Sequence, residues 1–406
     1  RFNIFDKHTQ KTTDPDFVET EYTVNEYISG IRDYALKLDF DYIPNPAHYV
    51  KFGAHAIHHL FSPGVNSYRS TEARDTTFGS TRIFANELSV YAEDDFLITP
   101  KLKINAGVHA SAFYVNKKLY HSVQPRVSGR YLITRALSVK ASFAQMTQYI
   151  HLLTNAGLGL PTDLWVPATE IIKPEQSYIT ATGLAYNLNN QYEFTLEGYY
   201  KKMTGLIEYK DGASFLDNEK DWQNKVEIGE GTSYGAEFFI HKKTGKFNGW
   251  MGYTLSWTDR VFPNLNDGKK FPYKYDRRHD FEITMAYKLK ENREIAITWV
   301  YGTGAAISLP KSSYLTGQQF EFNESINFYE SRNNYRMRAF NRLDISYTKF
   351  RKTKWGESSW SFGAYNVYSR KNPFYMDIGV DKKGHKKFIQ YSLFPIIPSI
   401  TYRFKF

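Results

Sequence analysis

The sequence predicts an all-β protein, an antiparallel transmembrane β-barrel. Three observations predict it. Candidate strands alternate apolar and polar residues, the period of two that puts successive side chains on opposite faces. Many of them run to roughly 14–18 residues, where strands of soluble proteins centre on five or six. Their connections alternate short and long along the chain, as tight turns on one side of a membrane and long loops on the other demand.

About fifteen strand candidates follow from alternation and turn residues. The first spans residues 22–42 and ends at Pro44-Asn45-Pro46; the second spans 48–61, before Ser62-Pro63-Gly64. A polar loop with Arg69, Glu72, Arg74 and Asp75 leads to the third, 81–98, which turns at Thr99-Pro100. In the fourth, Leu102, Ile104, Ala106, Val108, Ala110 and Ala112 alternate with Lys103, Asn105, Gly107, His109 and Ser111. Val123, Val127, Tyr131 and Ile133 carry the pattern through the fifth, and the sixth runs from 137 to 150.

A long loop, 152–174, precedes the seventh strand, 177–188. Asn189-Asn190 then turns into the eighth, with Tyr192, Phe194, Leu196 and Tyr200 on one face. After a loop at 210–225 the ninth reaches His241, and Lys243-Thr244-Gly245 leads to the tenth, where Met251, Tyr253, Leu255 and Trp257 share a face. A loop at 260–273 follows. Phe281, Ile283, Met285, Tyr287 and Leu289 mark the eleventh strand; Ile295, Ile297, Trp299 and Tyr301 mark the twelfth. Beyond a polar loop at 310–335 come the thirteenth, with Leu343, Ile345 and Tyr347, and the fourteenth, 359–376. In the last strand Ile400, Tyr402, Phe404 and Phe406 oppose Ser399, Thr401, Arg403 and Lys405. Terminal residues of soluble proteins usually fray, so an end on a large apolar ring suits a barrel wall.

Composition agrees. Of 406 residues, 32 are Tyr and 30 Phe, and membrane barrels need aromatics at both interfaces. Mean hydropathy is −0.52, and no apolar run approaches the ~18 residues of a membrane helix. There is no Cys, which excludes disulfides, thiolate metal sites and cysteine nucleophiles. The net charge of +10 on a barrel implies a basic lumen or loops set against anionic headgroups or an anionic solute. The first residues show neither the charged nor the apolar segment of a signal peptide, so a processed, cleaved or truncated start is expected. Short turns follow the odd-numbered candidates, which places an odd count's first strand at an extracellular start. Arg1 is accordingly expected in a surface loop, with earlier strands upstream or on another chain.

Several stretches resemble TonB-dependent outer-membrane receptors of the Bacteroidota type: Y-A-E-D-D-F-L-I-T-P at 91–100, P-T-D-L-W-V-P at 161–167 and L-E-G-Y-Y-K-K-M at 196–203. Y-D-R-R-H-D at 275–280, Y-N-V-Y-S-R-K-N-P-F-Y at 365–375 and the terminal L-F-P-I-I-P-S-I-T-Y-R-F-K-F complete the set. The resemblance covers the chain from about Thr81 onward. It implies a 22-stranded barrel holding an N-terminal plug, of which this chain supplies the C-terminal portion across 1–406. The plug, about seven strands and the energy-coupling segment are implied to lie outside it. It further implies outer-membrane localisation and nutrient import powered by TonB, with a siderophore, haem or another metal chelate favoured because no F-W-R-L-K-N-type strand of glycan importers is present. Implied partners are the TonB complex, outer-membrane lipids and lipopolysaccharide, the missing N-terminal half and a surface lipoprotein; no nucleic acid and no cofactor are implied.

The candidate solute contacts are Trp165, in the apolar loop 160–165, and Arg277, Arg278 and His279 in the D-R-R-H-D run. Arginine makes bidentate contacts to carboxylate or phosphate, although the same run reads more simply as a self-neutralising ion-pair ladder. His55, His58 and His59 are weak metal or haem candidates. On a strand His55 and His59 share a face that His58 opposes, which supplies two ligands at most. Trp250, Trp257, Trp299 and Trp360 read as belt aromatics, and the basic run 382–387 as a solvated loop. No G-x-S-x-G, H-E-x-x-H or P-loop occurs, so no enzymatic chemistry is expected. The rival reading is a scaffold barrel in an envelope complex without a substrate of its own; a passive porin is the third.

Overall fold

The structure, a computed structural model, describes residues 2–11, 18–70, 76–79, 82–154, 157, 163–213, 221–315, 325–381, 383 and 385–406. One antiparallel sheet of 18 strands forms the body. Two of them, Thr76–Gly79 and Phe271–Pro272, are short. The other sixteen are β1 (Phe2–Lys11), β2 (Val18–Asn45), β3 (His48–Ser70), β4 (Ile83–Thr99), β5 (Leu102–Val115), β6 (Lys118–Leu132), β7 (Leu137–Gln148), β8 (Glu175–Leu188), β9 (Tyr192–Tyr209), β10 (Val226–Lys242), β11 (Phe247–Val261), β12 (His279–Lys290), β13 (Arg293–Gly302), β14 (Phe340–Thr353), β15 (Gly356–Tyr365) and β16 (Ile397–Lys405). Each of these pairs with the next in sequence, and β1 and β16 are not paired with each other.

Directly paired residues point to the same side of a sheet, so the register sorts every side chain. Leu38, Ala54, Val90 and Ala110 form one row across β2–β5. Lys37, His55, Ser89, Ser111 and Ser122 form the adjacent row on the other face. The first face exposes Leu36, Leu38, Phe40, Leu88 and Val90 here, and Leu196, Tyr287, Ile400 and Tyr402 further along. Rings and branched chains left bare around a whole sheet make sense only against hydrocarbon. The second face is polar. Lys103 pairs with Asp95 at 2.7 Å and Lys140 with Glu197 at 3.9 Å, and a hollow of about 310 Å³ lies among these charges.

Turn chemistry sets the ends. Thr99 Oγ1 accepts the amides of Lys101 and Leu102 at 3.2 and 3.0 Å, and Thr134 Oγ1 does the same for Ala136 and Leu137. Each hydroxyl thus mimics a backbone turn. Asn116 and Lys117, with φ of 46° and 67°, close β5 onto β6 in the doubly left-handed turn that matches strand twist.

Four expectations need correction. The strand count is not fifteen, because β1 precedes the first candidate and pairs with β2 over its whole length. Arg1 lies outside the described residues, and Phe2–Lys11 pairs only with Val18–Tyr27, the first ten residues of β2. The alternation of connections breaks once, since the two-residue Asn116-Lys117 turn falls on the long-loop side. The fourteenth candidate is two elements. Here β15 stops at Tyr365, and Pro373–Val380 pairs with Lys386–Ser392 as a separate hairpin. In that hairpin region Lys382 and Gly384 lie outside the described residues. Finally, Trp257, Trp299 and Trp360 share the apolar face, but Trp250 pairs with His241 and Thr284 on the polar one.

Candidate functional site

The candidate site is built where long connections fold over the polar face. The β7–β8 connection bends back onto β3–β6. Tyr149 stacks on Phe113 with centroids 4.8 Å apart and planes within 2°. Its hydroxyl lies 2.8 Å from Ser111 Oγ, which also accepts Gln124 Nε2 at 2.9 Å. Phe61, Ile83, Ala85, Val115 and Ala168 complete the cluster. Burying each large side chain there contributes about 1.5–3 kcal/mol, enough to seat the loop. Further along it, Ile150–Leu153 pairs with Leu164–Pro167. That hairpin's Leu153, Leu164 and Val166 pack on Ile207, Tyr209, Trp222 and Val226 from the β9–β10 corner. Leu206, Phe262, Leu265 and Phe271 join the β11–β12 connection to the same corner.

Ion pairs tie these loops to one another. Glu208, fully buried at the end of β9, lies 3.2 Å from Arg260 Nη1 and 3.3 Å from Arg332 Nη2. The Arg260 guanidinium sits 3.6 Å over the Tyr273 ring. Arg332, from the β13–β14 connection, also reaches Asp211 at 2.8 Å. Asp276, likewise buried, accepts the Thr258 amide at 2.6 Å, lies 3.5 Å from Arg278 and pairs closely with Arg336. Asp163 receives Lys274 Nζ at 2.9 Å and the Tyr275 hydroxyl. A buried carboxylate is tolerated only when paired and hydrogen-bonded; Glu208 and Asp276 are both gripped from the β13–β14 connection, and the partly exposed Asp163 from the β11–β12 connection. Burial, then the hydrogen bond to Asp163, pushes the Tyr275 phenol well above the usual tyrosine range. At Gly304 a Cβ would run into the Met337 carbonyl oxygen, so the two arms of the β13–β14 connection cross at a point only glycine allows.

The sequence-derived residues do not converge. Trp165 is half exposed on the hairpin of the β7–β8 connection; Leu160, Pro161 and Thr162 beside it lie outside the described residues. Arg277 pairs with Asp280 at 3.5 Å, which lies on the polar face with Thr254. Arg278 instead stacks its guanidinium 4.5 Å over Trp257, and His279 Nδ1 lies 2.9 Å from the Tyr253 hydroxyl. Both thus meet the aromatics of the apolar face. His58 sits between Tyr34 and Phe84 on that face, while His59 is buried on the other, 2.8 Å from Asp33 and 3.6 Å from Glu87. His55 shares the face of His59. Among the described residues no group of three or more His, Cys, Asp or Glu could hold a metal ion.

Between the β9–β10, β11–β12 and β13–β14 connections lies a cavity of about 770 Å³, whose lining includes Tyr209, Asn266, Phe328, Tyr329 and Arg332. Its walls are rings, amides and paired charges. Arg332 and Glu208 escape a sequence reading; the only signal is the arginine density of S-R-N-N-Y-R-M-R at 331–338.

A family model described as TonB dependent receptor-like, beta-barrel matches residues 2–367. No curated protein sequence matches the chain. Among solved structures, the ferric yersiniabactin uptake receptor FyuA from Yersinia pestis superposes with a TM-score of 0.62 at 12% identity, over 98% of this chain and 60% of that one. The ferric-catecholate import receptor Fiu from K12 E. coli gives 0.58 at 13%, over 95% and 55%. The ferripyoverdine receptor of the outer membrane of Pseudomonas aeruginosa gives 0.55 at 12%, over 99% and 53%. The chain thus spans little more than half the length of the structures it matches, and at such identities the likeness is one of fold.

Proposed function

This chain belongs to the TonB-dependent receptor-like β-barrel family, and from that premise we propose that the protein imports a scarce solute, a ferric siderophore or another metal chelate, with energy from the TonB system. It is an outer-membrane, multi-pass β-barrel. The observation that carries the reading is the cap of loops over the polar face. Two buried carboxylates, Glu208 and Asp276, and the partly exposed Asp163 lock connections into one recognition surface. A passive pore gains nothing from a cavity of about 770 Å³ walled by such loops. The neighbours' printed roles in ferric-chelate uptake support the solute class.

Trp165 and Arg277 are the solute contacts we favour among the sequence-derived residues, because one is exposed on the cap and the other lies toward the polar face. Arg278 and His279, beside Trp257 and Tyr253, suit the lipopolysaccharide boundary better. The TonB complex is the partner required, acting through the remainder of the receptor.

The test is uptake of radioactive iron chelates by cells carrying the full-length receptor, with and without an intact TonB system. Accumulation that depends on both supports import. Equal accumulation in the uncoupled strain refutes it and favours a pore. An envelope defect on deletion, with no uptake phenotype for any solute, favours the scaffold reading.

A further inference from the structure

We propose that the cavity between the β9–β10, β11–β12 and β13–β14 connections takes an electroneutral chelate, a ferric tris-hydroxamate rather than a trianionic ferric tris-catecholate. This rests on the import reading and names the solute class for it.

Charge balance points there. The ionised groups in the lining are Lys210, Asp211, Asp267, Glu330 and Arg332, and each already has a partner of opposite sign. Lys210 lies 3.8 Å from Glu227, Asp267 3.5 Å from Lys269 and Glu330 3.0 Å from Lys311. Arg332 spends its two Nη atoms on Asp211 at 2.8 Å and Glu208 at 3.3 Å, the latter shared with Arg260. Among the described residues the frame therefore holds five cations and five anions, which cancel. A trianion bound here would face Asp211, Asp267 and Glu330 without an uncommitted cation among the described lining residues, and recognition of anions needs charge-assisted donors.

What the lining offers instead is ring surface and amide. Phe328 and Tyr329 are 53% and 42% exposed, on and just after the hairpin arm Ser325–Phe328. Asn327 stands beside them in the same wall. Flat faces that lose little entropy on binding, next to amides, fit the methylene and carbonyl surface of a neutral chelate. The volume lies within the ~300–1,000 Å³ of pockets that enclose small ligands.

The experiment is calorimetric titration of the full-length receptor in detergent with ferrichrome, a neutral ferric tris-hydroxamate, and with ferric enterobactin, a tris-catecholate trianion. Ferrichrome is expected to bind, with Kd changing less than about twofold between about 0.05 and about 0.5 M NaCl, because screening acts only on charged partners. A Phe328→Ala/Tyr329→Ala double variant, which trims exposed rings and leaves the fold intact, is expected to weaken it by about tenfold or more, the effect of removing aromatic anchors. Asp211→Asn, which frees one Nη of Arg332, is expected to raise affinity for the trianion by about tenfold. Tighter, steeply salt-dependent binding of the trianion to the unmodified receptor overturns the proposal. So does ferrichrome binding that ignores the double variant, or binding of neither chelate. TonB-dependent uptake measured alongside separates the two readings: if it persists while neither chelate binds here, import stands and this pocket assignment falls.

Discussion

Glu208→Gln removes one negative charge and almost no volume from the centre of the cap. In the native protein Glu208 is fully buried and balances Arg260 and Arg332, whose side chains are themselves largely buried. With glutamine, two guanidinium groups lose that counter-charge, and Arg332 keeps only Asp211, an exposed partner of small weight. Breaking a buried ion pair from one side costs about 3–5 kcal/mol. The loss falls on docking of the β13–β14 connection and not on the wall, whose ladders do not involve these side chains. At about 1.4 kcal/mol per tenfold, the docked loop should open roughly one hundred to a few thousand times more often. Hydrogen exchange reads this directly. The amides of Ala306, Met337 and Asn333, held by Lys274 O, Ala305 O and Ser308 Oγ, should exchange faster by that factor. Amides between β12 and β13, such as those of Phe281 and Tyr301, should not change. Unchanged exchange at Ala306 and Met337, or an equal rise in the wall, would refute the assignment of Glu208 as a lock between loops.

Other expectations follow from the same geometry. Phe113→Ala removes a fully buried ring from beneath Tyr149 and should cost about 3–5 kcal/mol locally; limited proteolysis within 149–174 should become fast while the remaining barrel stays resistant. Gly304→Ala should displace the Ala306–Ile307/Tyr335–Arg336 pairing, since its Cβ meets the Met337 carbonyl, and weaken solute binding without changing thermal stability of the wall. For Tyr275 the folded pKa is raised, so its stabilisation is complete below the ordinary tyrosine value near ~10 and is lost as pH rises beyond it. Tyr275→Phe, with Lys274 retained on Asp163, should abolish that part of the alkaline loss of exchange protection in 262–278. Single-tryptophan variants in brominated lipid should show quenching of Trp257, Trp299 and Trp360 but not of Trp250, which shares the polar face with His241.

The wall was legible because hydrocarbon enforces alternation residue by residue. Ile400, Tyr402 and Phe404 against Thr401 and Arg403 can be sorted without coordinates, and the last strand pairs as that pattern requires. The misplacement of Trp250 was avoidable, since it stands seven residues from Trp257 and an odd separation puts two strand residues on opposite faces. The missed β1 is different. Its N-I-F-D-K-H-T-Q-K run alternates weakly, and only pairing with β2 makes it a strand. The cap was almost illegible. Nothing local marks Glu208 as buried within L-I-E-Y, because what buries it is Arg332 on another connection. Arg277, Arg278 and His279 read as one cationic rim, yet the strand they enter sends Arg277 toward Asp280 and His279 toward Tyr253.

The partners that close the cap are far apart along the chain: Asp163 and Lys274 are separated by 111 residues, Glu208 and Arg332 by 124. Contacts of such separation form only after the intervening segments are in place. Until the β13–β14 connection has been added, Glu208 and Asp276 lack Arg332 and Arg336 and remain open to water. The closed mouth is therefore a late event in biogenesis. A receptor stalled during insertion would present a finished stretch of wall beneath a loose crown, a state that surface proteases, or an antibody raised against the β13–β14 connection, would recognise before any transport assay did.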